Sequence, residues 1–238
     1  MSSMFKRLIL PMLLLINLMA FSQEKVIYDI NAEKRTAENF QAIKVSDGID
    51  LYIIQGTEEG VVVSAAEIAH RNKMRTVVEN GELKIFLEQG WNWKPKKLKA
   101  YVAVKSLNKL RASGGSDVII QGELKSDKLM LVLRGGSDFN GQIAVTDLTI
   151  DQNGGSDVRI KGKAVNVKVE ASGGSDFGGY ELTAEYAIIQ ASGGSDASIT
   201  VTKEMAAEAS GGSDVNFKGN PVIKYKSASG GGSVSKRG

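Results

Sequence analysis

Six Ser-Asp pairs along this chain directly follow two glycines. The first glycines of neighbouring copies are 18 to 21 residues apart. A hydroxyl beside a carboxylate can hydrogen-bond a ligand, and a group of carboxylates can bind Ca²⁺ or work as an acid/base pair. The copies of this GGSD motif are Gly114-Gly115-Ser116-Asp117, Gly135-Gly136-Ser137-Asp138, Gly154-Gly155-Ser156-Asp157, Gly173-Gly174-Ser175-Asp176, Gly193-Gly194-Ser195-Asp196 and Gly211-Gly212-Ser213-Asp214.

The six aspartates repel one another if the fold stacks them about 4.8 Å apart. Bound Ca²⁺, backbone N–H groups of the turn, or solvent and nearby lysines would each relieve that repulsion. Calcium-binding Gly-Gly-x-Gly-x-Asp solenoids have a nine-residue period and a third glycine, and this chain has neither. The sequence therefore favours turn-forming aspartates and no cofactor. Calcium is the less favoured alternative, with Asp117, Asp138, Asp157, Asp176, Asp196 and Asp214 as ligands.

The motif does not predict an enzyme. Neighbouring carboxylates would lie near the separation of about 5 Å that retaining glycosidases use. A catalytic pair, however, needs two unlike environments, and a repeat supplies like ones. The chain has no cysteine and one histidine, His70, which removes the usual zinc sites and any Cys/His nucleophile pair. We therefore predict no catalytic residues.

The segments that must position the motif alternate between apolar and polar residues, as in Leu129, Leu131 and Leu133. Alternation of this kind indicates half-buried strands, and a period near 20 residues indicates a solenoid. We predict an all-β fold, a right-handed parallel β-helix with about 20 residues per coil. The main alternative is an antiparallel sandwich, which would not need four residues at the same phase of every repeat.

Equal offsets in a solenoid become ladders along its axis. If the chain stays extended through the motif, Ala112, Gly114, Ser116 and Val118 face inward and the aspartates face outward; a corner at the glycines would reverse this facing. Buried serines would then form a ladder of hydroxyl-to-hydroxyl or hydroxyl-to-backbone bonds, because a buried hydroxyl needs a partner. A degenerate seventh repeat falls at Gly231.

Residues 40–105 are rich in strand patterns but lack the motif. Asp47-Gly48 and Asn80-Gly81 are dipeptides typical of hairpin turns, and Glu67 to Lys73 is a candidate helical turn. Terminal repeats of solenoids are commonly atypical. We interpret residues 40–105 as a cap or irregular first coils, continuous with the repeat region 106–238 as one domain.

The start of the chain predicts export. Residues 1–22 have the basic, apolar and small-residue regions of a signal peptide, and residues 23–39 form a lead-in segment. No transmembrane segment is expected in the mature chain, which would reside in the periplasm, on the cell surface or outside the cell. Loss of Lys6 and Arg7 lowers the formal charge from +3 to +1, which argues against a nucleic-acid partner.

A segment with two tryptophans interrupts residues 40–105. Its aromatic and basic side chains would suit the binding of a glycan or a surface protein, or else the indoles cover an open solenoid edge and the lysines are solvated. We favour the covering role. The residues concerned are Trp91, Trp93, Lys94, Lys96 and Lys97.

The segments FQAIKV at 40–45 and GIDLYIIQG at 48–56, followed by the GGSD series, resemble an exported bacterial family common in Bacteroidetes. This is the family of putative autotransporter adhesins with a head GIN domain, a domain of unknown function. The resemblance covers roughly residues 38–227 and implies a right-handed parallel β-helix, a surface-associated role and no catalytic residues.

Three functions follow as hypotheses. The first is adhesion, with a glycan or a surface protein as the ligand. The second is an envelope protein that is structural or self-assembles through solenoid ends. The third and least favoured is a carbohydrate-active enzyme, which would require a groove with unlike Asp, Lys or Arg residues that break the repeat.

Overall fold

The computed structural model describes residues 29–88 and 97–238, so the predicted signal peptide lies outside the described residues. The described part contains sixteen strands and one short helix. The strands are β1 (Glu33–Arg35), β2 (Ala42–Val45), β3 (Asp50–Gln55), β4 (Gly60–Ser64), β5 (Met74–Glu79), β6 (Glu82–Leu87), β7 (Lys99–Val104), β8 (Lys109–Ser113), β9 (Val118–Arg134), β10 (Phe139–Asn153), β11 (Asp157–Ser172), β12 (Asp176–Ser192), β13 (Asp196–Ala209), β14 (Asp214–Lys218), β15 (Val222–Ala228) and β16 (Ser233–Lys236), and the helix is α1 (Ile68–Arg71).

The repeat region is a parallel β-solenoid of about 7 turns with a spacing near 19 residues, as predicted. Each long strand from β9 to β13 leaves one motif, passes through the next turn and ends at the following motif. Each pairs in parallel with its successor, so that Leu131, Ile150, Val169, Ile189 and Ala207 stack in register. This parallel register excludes the antiparallel sandwich.

Large and small residues alternate along the core beside the motif. Val118, Phe139, Val158 and Phe177 follow one another in register and are buried. Where the inner residue is Phe177, the next inner position is Gly179, at which an added Cβ would lie 2.6 Å from the Phe177 ring. The coils of Val118 and Val158 carry isoleucine at that position, so the pairs fill a similar volume, as close packing requires.

The prediction of a hairpin at Asp47-Gly48 is wrong. β2 pairs in parallel with β8, and β3 pairs in parallel with β9, so the dipeptide forms a solenoid corner between β2 and β3. Asp47 and Gly48 have φ angles of 67° and 69°, like Gly114 and Gly115 at 66° and 73°. Two consecutive left-handed residues suit either a hairpin or this corner, so the dipeptide alone does not distinguish them. Asn80-Gly81 does join antiparallel strands, β5 and β6.

Spatial order differs from chain order near the start. β6 and β7 form a coil on one side of β2 and β3, and the chain then returns to place β8 and β9 on the other side. Antiparallel strands cover this end, with β5 beside β6, β4 beside β7 and β1 beside β4. A cap of mixed direction thus ends the parallel sheet, and α1 lies within it.

Candidate functional site

The two glycines of each motif form a sharp corner. Both have positive φ angles, and the first stacks on the first glycine of the preceding coil, so that a Cβ at Gly154 would lie 3.1 Å from the backbone nitrogen of Gly135. The predicted inward facing of Gly114 is wrong, since this glycine is exposed. The left-handed pair turns the chain outward and returns it, which leaves Ser116 buried and Asp117 exposed.

The seventh repeat begins at Gly230 rather than Gly231. Gly230 and Gly231 have positive φ, and a Cβ at Gly230 would lie 3.1 Å from the nitrogen of Gly211. Ser233 pairs with Asp214, so it occupies the aspartate position, and Gly232 occupies the serine position. The match of Gly-Gly-Ser letters misplaced this repeat by one residue.

The serines bond to backbone groups inside the corner. All six have an exposed fraction of 0%. Ser195 Oγ shares its one proton between the carbonyl oxygens of Ala171 and Ser192, both at 2.9 Å, and accepts from the Ser192 N–H at 3.1 Å. The Oγ of Ser213 accepts the N–H of Ser195 at 3.2 Å. The serines therefore join successive coils through backbone groups that the corner leaves without a sheet partner.

The aspartates form a column on the surface that is longer than the motif count. Asp50 precedes Leu51, which pairs with Val118, so Asp50 lies next to Asp117. Lys99 pairs with Asp50 and follows it along the axis. Sequence reasoning missed Asp50, although its Ser-x-Gly-x-Asp pattern at 46–50 matches 113–117. The Asp column comprises Asp50, Asp117, Asp138, Asp157, Asp176, Asp196 and Asp214.

Backbone N–H groups and basic side chains relieve the repulsion between carboxylates in the Asp column. The N–H of Asp157 donates to Asp138 Oδ1 at 3.1 Å, and the N–H of Asp214 donates to Asp196 Oδ1 at 3.1 Å. Arg159 Nη2 lies 3.2 Å from Asp157 Oδ2. Within residues 29–88 and 97–238, no group of three His, Cys, Asp or Glu side chains is arranged to hold a metal ion. The preference for turn-forming aspartates over calcium ligands stays a prediction.

Two carboxyls at one end of the Asp column titrate unusually. Partial burial, followed by the charge of Asp138, raises the pKa of Asp117. Partial burial, followed by the charge of Asp117, raises the pKa of Asp50, and Lys99 opposes that rise. Electrostatic repulsion therefore persists between the carboxyls at this end of the Asp column.

Replacing Asp117 by asparagine is expected to stabilise the protein at pH 7. A carboxyl whose pKa is higher in the folded state holds more protons there, so its contribution to stability falls as pH rises above the unfolded pKa near 3.9. Urea unfolding of Asp117→Asn and wild type should give curves of stability against pH that converge as pH falls through about 4. Asp127→Asn removes an exposed charge outside the column and is the control. A difference independent of pH would contradict the expected repulsion.

A groove of about 1360 Å³ runs along the turns that join successive coils. Lys125, Ala144, Lys163 and Thr183 line it and are neighbours in register, so the groove crosses several coils along the axis. Hydroxyl and amide side chains in this turn groove are Gln41, Ser106, Asn108, Ser126, Thr146, Thr183 and Thr202, and its charged side chains are Lys125, Lys128, Lys163, Glu123, Asp127 and Glu185. Acids and bases therefore balance, and hydrogen-bonding groups dominate.

An aromatic and aliphatic surface adjoins the turn groove. Tyr186 and Ile188 are exposed and line a second hollow of about 690 Å³. Lys128 borders both hollows, so the two form one surface. Lys203 Nζ lies 5.4 Å from the centre of the Tyr186 ring and 2.7 Å from Glu185. We call Tyr186 and Ile188 the tyrosine platform; no sequence motif marked it or the groove.

The predicted tryptophan segment falls on a gap in the described chain. Trp91, Trp93, Lys94 and Lys96 lie outside the described residues, and Lys97 is exposed with a φ of 55°. Ile85 pairs with Val45, and Lys99 pairs with Asp50. The described strands on either side of the segment, β6 and β7, pair with β2 and β3 as β8 and β9 do.

Three solved structures share this fold over most of the chain. A putative adhesin from Bacteroides fragilis NCTC 9343 is 20% identical with a TM-score of 0.79, and the match covers 87% of this chain and 96% of that one. A putative adhesin from Parabacteroides merdae ATCC 43184 is 17% identical with a TM-score of 0.68, covering 87% and 96%. A putative lipid binding protein from Parabacteroides distasonis ATCC 8503 is 17% identical with a TM-score of 0.64, covering 88% and 98%. At these identities the likeness concerns the fold.

No curated protein matches the chain. Among the described residues, no helix is both long enough and apolar enough to cross a membrane. The model of one protein family matches residues 39–221, which is most of the chain and includes every complete GGSD motif. The chain therefore belongs to the family described as "Putative auto-transporter adhesin, head GIN domain", which confirms the resemblance found in its sequence.

Proposed function

We propose that this protein is an exported, non-enzymatic adhesin domain that binds a neutral glycan of a cell surface in the turn groove, beside the tyrosine platform. The observation that carries the proposal is the composition of this surface. Its charges balance, its polar side chains are mainly hydroxyls and amides, and an exposed tyrosine lies next to it. A ligand rich in hydroxyl groups and without charge fits such a surface, because it can hydrogen-bond the groove and stack on the ring.

The like environments of the repeats support a binding role over catalysis. Successive coils present side chains in register, which suits a ligand that is itself extended along the axis. The serines of the motif are engaged with backbone groups, and His70 lies in α1 within the cap, away in sequence from the groove. Membership of an adhesin family agrees with a role in surface binding. Export through residues 1–22 is part of the proposal.

Replacing Tyr186 by alanine should raise the Kd for the glycan roughly tenfold, equivalent to about 1.4 kcal/mol. A glycan array first identifies a ligand, and calorimetry then measures its affinity for each variant. Tyr180→Ala is the matched control. Tyr180 is on β12, the ammonium group of Lys218 lies over its ring, and it does not line either hollow. Absence of saturable binding to any glycan would contradict the proposed function.

The tryptophan segment remains the second proposed glycan-binding surface. The pair Trp91→Ala and Trp93→Ala is measured in the same assay. Loss of affinity in this pair, with unchanged affinity in Tyr186→Ala, would assign the site to residues 91–97 and remove it from the turn groove.

A further inference from the structure

The last coil of the solenoid is positively charged. Residues 215–238 contain five basic side chains and neither aspartate nor glutamate. Lys224 Nζ lies 3.2 Å from Glu204 Oε1 of the preceding coil, while Lys236 and Arg237 donate to the uncharged amide oxygens of Asn220 and Asn216. Lys226, Lys236 and Arg237 are exposed. This end of the molecule therefore attracts anions.

Exposed apolar side chains accompany these charges. Val222 is 59% exposed and Tyr225 is 55% exposed, and Ile223 between them is exposed as well. All three lie on β15, which pairs only with β13 among the described strands. Within residues 29–88 and 97–238, antiparallel strands cover the other end, whereas no second strand pairs with β15, which carries aromatic, aliphatic and basic side chains together.

We propose that this C-terminal end, formed by β15 and β16, docks onto the anionic headgroups of a lipid surface. Basic side chains gain about 1 kcal/mol each near an anionic bilayer, and tyrosine and aliphatic side chains add affinity by entering the headgroup boundary. Water and headgroups at that depth satisfy the open backbone edge, which hydrocarbon would not. The docked end leaves the turn groove, which lies on the side of the solenoid, available to a second ligand.

A second copy of the chain is a poorer occupant of the same surface. Antiparallel pairing of β15 with its copy about Tyr225 would set Lys224 opposite Lys226 in both directions. Like charges directly opposite destabilise paired strands, and lysines on an edge strand are a common means of preventing such pairing. Charge thus favours an anionic partner over self-assembly.

Vesicle sedimentation tests the proposal. The full chain should bind vesicles of phosphatidylcholine with 30% phosphatidylglycerol, and Lys226→Gln with Arg237→Gln should lower the partition coefficient on the order of 30-fold. The control, Lys105→Gln with Lys161→Gln, removes two exposed charges elsewhere and should bind like wild type. Residues 1–28 are the same in all variants, so they do not contribute to the differences in binding between the variants. At high salt, where the charges are screened, Tyr225→Ser should still bind vesicles more weakly than the wild-type protein.

Two results would overturn the proposal. One is an equal loss of binding in the control pair, which would indicate a diffuse charge effect. The other is self-association in light scattering that Lys226→Gln with Arg237→Gln strengthens while vesicle binding stays at the wild-type level, which would assign the end to contacts between copies.

Discussion

Replacing Gly162 by alanine is expected to lower the free energy of unfolding by more than about 4 kcal/mol, near the limit for single substitutions. Gly162 has a φ of 113°, and an added Cβ would lie 2.0 Å from the carbonyl oxygen of Ile143 on the neighbouring coil. The position of the Cβ is fixed by the backbone of residue 162, and the oxygen that it meets belongs to the backbone of Ile143. No side-chain rotation can therefore relieve the clash. Either the coils separate at this position or the pairing of β10 with β11 breaks locally.

Gly155→Ala is the matched control. Gly155 also has a positive φ, 76°, but an added Cβ would meet no atom within 4 Å. The cost should then be the intrinsic penalty of the left-handed region alone, about 1–2 kcal/mol. Urea unfolding of the two variants measures the difference. Equal losses would show that conformational strain, rather than contact between coils, is the reason for glycine at position 162.

The alternation and the equal spacing were sufficient to predict the solenoid. Both features describe relations between residues a fixed distance apart, and a parallel register turns those relations directly into contacts. The placement of Asp47-Gly48 was not predictable from the dipeptide, because its backbone angles suit two different turns. The return of the chain from β7 to β8 was not predictable either. It depends on which side of β2 and β3 is left unpaired by β6 and β7.

The candidate binding surface was less accessible to sequence reasoning than the motif. The GGSD residues occupy the same corner in every coil, so their repetition follows the geometry of the solenoid and does not by itself indicate a ligand site. Residues of the turn groove differ between adjacent coils, as Lys125, Ala144, Lys163 and Thr183 illustrate. Positions whose residue type varies while their neighbours repeat are not constrained by the corner. They can be recognised as parts of one surface only once the register of the solenoid is known.

Replacing Ser195 by alanine is expected to cost about 3 kcal/mol, because two buried backbone groups lose a partner worth 1–3 kcal/mol each. The hydroxyl oxygen accepts the Ser192 N–H, and its one proton satisfies one acceptor at a time, the carbonyl of Ala171 or that of Ser192, so its loss affects two coils at once. Alanine fits the space of serine, so the substitution removes hydrogen bonds without introducing a clash. Denaturant unfolding measures the loss, and near-ultraviolet circular dichroism checks that the native packing persists.

Ser192→Ala removes a hydroxyl three residues away in the same corner and provides the control. Ser192 is only half-buried, and its backbone rather than its hydroxyl contacts Ser195. A change within about 0.5 kcal/mol is expected, as for most surface substitutions. Losses within about 0.5 kcal/mol in both variants would mean that the corner depends on the glycines alone. The serine would then not be needed to hold successive coils together, and its recurrence at every complete motif would have no energetic basis in hydrogen bonding.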